Sequence, residues 1–149
     1  MRSIQVTLPV RNLKVSAAFF AELGFTVRDG LTRPGSVSIV LDQNVHVCLL
    51  PQEHYQDRID ADCDPAVRGG SALISLTASS KQEVDEIVMR AIVAGARPWP
   101  LLDEHPGYCG SFQDPDGHLW QIACPPATAP RPGELIGAAA RSLAVPAQR

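Results

Sequence analysis

The chain has 149 residues, 45% of them hydrophobic and 19% charged, with a formal net charge of −3. These values predict a globular domain with a core of its own and exclude the basic footprint of a nucleic-acid binder. No apolar run approaches bilayer length, so a membrane is not an expected partner either.

Met1 to Val6 begins to alternate at once and lacks the apolar centre of a signal peptide, so the cytoplasm is the expected compartment. The four cysteines, Cys48, Cys63, Cys109 and Cys124, form no C-x-x-C pair. They are expected to be reduced and mostly small packing residues.

Ile4 to Val10 alternates apolar and polar residues and predicts a strand, with Pro9 marking its end or a sheet edge. Leu13 to Leu23 predicts a helix whose stripe is Val15, Phe19 and Leu23 with Ala18 beside them, ended by Gly24. A short strand at Phe25 to Arg28 follows, then a Pro34-Gly35 turn. Two strands come next, Ser36 to Leu41 and Val45 to Leu50, joined at Asp42-Gln43-Asn44. From 51 to 70 the pattern dissolves into one or two helical turns at Gln52 to Arg58 and an irregular stretch expected to act as linker and lid.

The pattern then restarts. Ala72 to Ala78 predicts a strand. Ser79 or Ser80, with Gln82 or Glu83 three residues on, predicts a capping box. The helix it opens carries Val84, Ile87, Val88, Ala91 and Ile92 as its stripe and stops at Gly95. Pro98 to Leu102 predicts an edge strand, and Tyr108 to Gln113 and Leu119 to Ala123 two more.

The fold class expected is therefore α+β, with two βαβββ modules forming curved mixed sheets around a concave cup. The modules span about 3–50 and 71–124 of one domain, residues 1–124, joined by 51–70. The tail, 125–149, is rich in Pro and Ala. It is expected to be disordered, or to form a short helix at Gly133 to Leu143.

The stretch Ser111 to Ile122 is the most informative. Asp114-Pro115-Asp116-Gly117 has tight-turn chemistry, and the strand after it carries one amide, Gln121. Together with Leu8-Pro9-Val10-Arg11-Asn12-Leu13, Phe19-Phe20 and Leu23-Gly24-Phe25, the run Phe112 to Trp120 resembles the vicinal oxygen chelate superfamily. That group includes glyoxalase I, bleomycin-resistance proteins, fosfomycin-resistance enzymes and extradiol dioxygenases. The resemblance spans roughly residues 3 to 124. It implies the two-module scaffold and a homodimer, but a scaffold shared by several chemistries does not specify activity.

In metal-using members, the first and last strands of each module supply one ligand each: His or Gln, Glu, His, Glu. The resemblance places these on Gln5, Cys48, Leu73 and Gln121. Strand phase agrees with that placement. If Ile4, Val6, Val45, Val47, Ile74, Leu76, Trp120 and Ile122 face the helices, then Gln5, Thr7, His46, Cys48, Leu73, Ser75 and Gln121 face the cup.

A hard dication needs carboxylates and imidazoles, whereas this set is two amides, a thiol and a leucine. The expectation is no cofactor and no tightly bound metal. The alternative is a soft divalent site for zinc or copper built from Gln5, His46, Cys48 and Gln121. Gln5 and Gln121 are expected on neighbouring strands, bonding a polar ligand, each other or water. Tyr108 and Phe112 are expected to wall the pocket, Trp120 to be core and His118 to be structural. Gly69-Gly70 precedes a strand, not a helix, so a nucleotide loop is not supported.

The leading expectation is a metal-free binder of a small organic molecule, as in the bleomycin-resistance proteins it resembles, with drug sequestration or antibiotic resistance as its use. Its rivals are a metal-dependent lyase, isomerase or dioxygenase like glyoxalase I, a metal-free enzyme using Cys48 with His46, and an accessory module without chemistry.

Overall fold

The computed structural model describes residues 1–30, 34–58, 72–100 and 107–127. In chain order they form β1 (Ile4–Val10), α1 (Leu13–Glu22), β2 (Thr26–Asp29), β3 (Val37–Asp42), β4 (Val45–Pro51), α2 (Gln52–Arg58), β5 (Leu73–Thr77), α3 (Lys81–Val93), β6 (Arg97–Pro98), β7 (Tyr108–Gln113) and β8 (Leu119–Cys124). Two four-stranded sheets result, in the orders β1-β4-β3-β2 and β5-β8-β7-β6. In both, the first and last strands of the module run parallel and the other pairs antiparallel. The repeat expected from the sequence is thus a repeat of topology. Pro9 falls on β1, an edge strand, where a missing N–H leaves no ladder position empty.

The helices are set by their ends. Asn12 caps α1, its side chain accepting from the Val15 N–H at 3.1 Å. Ser80 caps α3 by accepting from the Glu83 N–H at 3.1 Å, and the Glu83 carboxylate accepts from both the backbone N–H and the hydroxyl of Ser79. Those two bonds hold the Glu83 carboxyl below its ordinary pKa. Gly24 and Gly95, at φ of 94° and 107°, take the left-handed conformation that ends each helix.

One core serves both modules. Phe20 of α1 lies 5.2 Å from Trp120 of β8, and Phe19 lies 6.1 Å from Phe112 of β7, ring centre to ring centre. Around these rings sit Val10, Ile39, Val47, Leu49, Val84 and Ile122, all buried. The α1 stripe differs from expectation. Val15 and Ala18 are exposed, and the buried face is Ser16, Phe19, Phe20 and Leu23. The rotation follows from two attractions absent from helical periodicity: the volume of Phe20 against Trp120, and a hydrogen bond from Ser16 Oγ to Asp116 Oδ2 at 2.5 Å.

The Asp114 to His118 turn joins the modules. Asp114 Oδ1 accepts from the N–H groups of Asp116 and His118, both at 2.9 Å, and its Oδ2 accepts from Trp120 Nε1 at 3.1 Å. Asp116 accepts the Arg11 N–H at 2.8 Å, and Arg11 also donates from its guanidinium to the Pro115 carbonyl. His118 Nε2 donates to the Pro9 carbonyl at 2.7 Å, giving it the structural role expected of it.

Gly110 of β7 faces α3, and a Cβ there would stand 2.8 Å from Val88 Cγ2. Gly110→Ala is therefore expected to cost about 1–3 kcal/mol by overpacking, read as a lowered midpoint in urea unfolding. The strand expected at Pro98 to Leu102 is instead Arg97–Pro98; Trp99 and Pro100 are outside it, and 101–106 lie outside the described residues. Within 51–70, Gln52–Arg58 is helix α2. The lid expected over the remainder, and the short helix expected from Gly133, lie outside the described residues.

Candidate functional site

The strand phase expected for the cup is observed along most of the strands, but Ile4 and Val45, expected against the helices, lie exposed and half-buried outside the core. Val6, Val47, Leu49, Ile74, Leu76, Trp120 and Ile122 pack into the core against the helices. The alternate residues therefore form the opposite face. In the first sheet, Gln5 pairs with His46 and His46 with Val40, while Thr7 pairs with Cys48 and Cys48 with Ser38. In the second, Leu73 pairs with Leu119, Ser75 with Gln121 and Gln121 with Ser111. Ser38 and Ser111 thus join the candidate face. Extending the same two-residue phase through β3 and β7 would have identified both.

Exposure divides this face. Gln5, Leu73 and Ser75 on the edge strands are exposed; Thr7 and His46 are half-buried; Cys48 and Gln121 are buried. Ser75 Oγ donates to Gln121 Oε1 at 3.0 Å, which fixes the amide and leaves its nitrogen turned elsewhere. That Nε2 is buried and has no hydrogen-bond partner among the described residues, and the same holds for His46 Nδ1. A buried polar atom without a partner carries a cost of about 1–3 kcal/mol, and native folds keep such atoms where something else completes them.

Three expectations change. Gln5 and Gln121 are not on neighbouring strands: β1 and β8 belong to different sheets, because each sheet is closed within its own module. Phe112 does not wall the cup. It pairs with Trp120 on the helix face and stacks on that ring at 6.5 Å. Tyr108 shares the phase of Phe112, and its hydroxyl donates to Asp85 Oδ1 of α3 at 2.6 Å. That bond raises the phenol's pKa. Tyr108 instead borders a cavity of about 660 Å³ beside Lys81 and Pro125.

A divalent metal held by the four implied positions does not suit these residues. Leu73 has no donor atom, and Gln121 already spends its carbonyl oxygen on Ser75. No three His, Cys, Asp or Glu side chains among the described residues are grouped as a metal would require. The alternative soft set divides between sheets, with Gln5, His46 and Cys48 on the first and Gln121 on the second. Cys48 is only 1% exposed, which leaves little room for a nucleophile that must meet substrate.

Gln121→Met tests the strain at this position. It removes the unpartnered donor while keeping an apolar chain of similar volume, so stability is expected to hold or to rise by up to about 1 kcal/mol. Urea denaturation of the unliganded protein measures it.

Comparison with known proteins agrees with this fold. The model of the Glyoxalase/Bleomycin resistance protein/Dioxygenase superfamily matches residues 2–122. Among solved structures, hypothetical protein SA1046 from S. aureus superposes with a TM-score of 0.64 at 25% identity, covering 83% of this chain and 94% of that one. A glyoxalase-related enzyme from Fulvimarina pelagi gives 0.65 at 24% identity, covering 84% and 88%. A glyoxalase/bleomycin resistance protein/dioxygenase family enzyme from Burkholderia phytofirmans PsJN gives 0.61 at 19%, covering 80% and 95%. No curated protein sequence matches the chain.

Proposed function

The chain belongs to the glyoxalase/bleomycin resistance protein/dioxygenase superfamily, and from that premise we propose that it binds a small organic molecule in its cup without a metal. Drug sequestration of the bleomycin-resistance kind, in the cytoplasm, is the use that fits. It needs a shaped, partly polar surface but neither a metal nor an acid–base pair.

The observation that carries this reading is the buried Gln121 amide. Ser75 holds its oxygen, and its nitrogen lacks an acceptor. A ligand carbonyl, carboxylate or ring nitrogen in the cup would supply one. The apolar surface of Leu73 and Leu119 on the next row would cover the ligand's carbon skeleton.

In this proposal a second copy of the chain supplies the facing wall. The two modules meet through α1 and the Asp114 turn, and among the described residues no strand pairs with the outer side of β1 or β5, although His118 bonds Pro9 near the end of β1. Ile4 and Leu73 on those edges are 62% and 44% exposed, and an open edge with apolar residues is a surface that proteins ordinarily cover.

A thermal-shift screen of antibiotics, aromatic metabolites and thiol conjugates, run with and without divalent metals, tests the reading. A ligand at a hundredfold excess over its dissociation constant adds about 2.7 kcal/mol. The shift is expected to be the same in chelator and to vanish in Gln121→Met. A shift seen only with added metal contradicts the proposal.

A further inference from the structure

We propose that the joint between the two modules holds a second ligand site, separate from the cup, for a small oxyanion presenting two coplanar oxygens. A cavity of about 460 Å³ opens there, lined by Pro9 of β1 and Arg11 just after it, Gln52 at the start of α2, Arg97 of β6, Gln113 of β7 and the Asp114–His118 turn. That volume lies in the range of small-molecule sites, about 300–1,000 Å³. Gln5, Thr7, His46, Cys48, Leu73, Ser75 and Gln121, the residues expected to bind in the cup, do not line this cavity.

The charges in its wall are unequally used. Both acids are already engaged inside the protein. Asp114 accepts from two backbone N–H groups and from Trp120 Nε1. Asp116 accepts from the Arg11 N–H and from Ser16 Oγ, with Arg11 Nε 3.6 Å away. Arg11 is held at the wall by its bond to the Pro115 carbonyl.

Arg97 is different. It lies beside Gln113 in the sheet, and among the described residues its guanidinium has no hydrogen bond or ion pair. Among the described residues the Gln52 amide likewise has no hydrogen bond. Gln113 donates its Nε2 to the Gly117 carbonyl at 3.0 Å, which fixes its amide at the cavity wall.

The cavity therefore combines satisfied acids with one uncommitted guanidinium, a second guanidinium nearby and an uncommitted amide. A guanidinium fork matches a carboxylate or a phosphate through two parallel bonds. The occupant would touch Pro9 and Arg11 of the first module, Gln52 of α2 in the connecting segment, and Arg97 and Gln113 of the second module, and so would brace the joint.

Titration calorimetry of the full chain at matched ionic strength tests this, with inorganic phosphate in one arm and succinate in the other. Saturable binding of either, or both, is expected, and the arm that saturates identifies the chemistry. Arg97→Gln is expected to weaken it by at least about tenfold. Gln52→Glu, which brings a like charge into the cavity, is expected to weaken it as well, while Gln121→Met in the cup leaves it unchanged. Circular dichroism confirms that each variant is folded. No saturable binding in either arm, or undiminished binding by both folded cavity variants, overturns the proposal.

Discussion

Phe20→Ala is expected to destabilise the protein by about 3–5 kcal/mol, a large part of the stability of a domain this size. The side chain is 1% exposed and lies 5.1 Å from the Phe19 ring and 5.2 Å from the Trp120 ring. Its removal opens a void between α1 and β8. Since α1 and β8 belong to different modules, the neighbours cannot collapse into that void without moving one module against the other. Val15→Ala, two helical positions outside the buried face, is the matched control. Val15 is 53% exposed, so the change is expected to stay within about 0.5 kcal/mol. Urea unfolding of both variants reads the difference directly. A larger effect at Val15 than at Phe20 would mean that α1 is rotated to bury the stripe Val15, Phe19 and Leu23 expected from the sequence.

Asp114→Ala is the second large effect, expected at about 2–4 kcal/mol. The substitution strips the acceptor from two backbone N–H groups and from the buried indole of Trp120 at one stroke. It also frees the turn that carries Asp116 to Arg11 and Ser16, and His118 to Pro9. The loss should therefore appear as a loosened joint, with faster amide exchange at Arg11 and at His118.

Asp114 also imposes a pH dependence with a definite sign. Burial pushes its carboxyl above the ordinary range, against the opposing pull of nearby His118 and of its hydrogen bonds to Trp120, His118 and Asp116. The folded state then binds the proton more readily than the unfolded chain. Its contribution is fully present below the unfolded value, about 3.9, and is lost as pH rises through the higher folded value. The Asp114 contribution to the stability–pH curve should disappear in Asp114→Asn, as measured by urea titrations across the acidic range.

Most of the strand framework was legible because the modules alternate cleanly. Val6, Leu8 and Val10 point into the core, as do Trp120 and Ile122, and a one-residue slip would have reversed each. The Asp114 turn was legible because its residues each have one local job. What it grips was not. Arg11 and Ser16 lie 105 and 100 positions away from Asp116, and no local pattern announces that distance. The same long-range bond explains why Ser16, a polar residue, occupies the buried side of α1.

Phe112 was misplaced for a different reason. Gly110 interrupts β7 and offers no side chain from which to read alternation, so the phase of Tyr108 and Phe112 became visible only from their pairing with β8. The separation of Gln5 from Gln121 depends on strand order, which local alternation does not encode. The candidate site was legible in its face and not in its completeness. The row Ser75, Gln121 and Ser111 holds a buried amide nitrogen whose partner belongs to another molecule in the function proposed for it.

Elemental analysis of protein purified without chelators, followed by ligand binding before and after exhaustive chelation, tests the metal-free cup most directly. The account predicts far less than one equivalent of any divalent metal per chain and unchanged affinity after chelation. Near-stoichiometric metal, lost in Gln5→Ala or Gln121→Ala together with ligand binding, would contradict it.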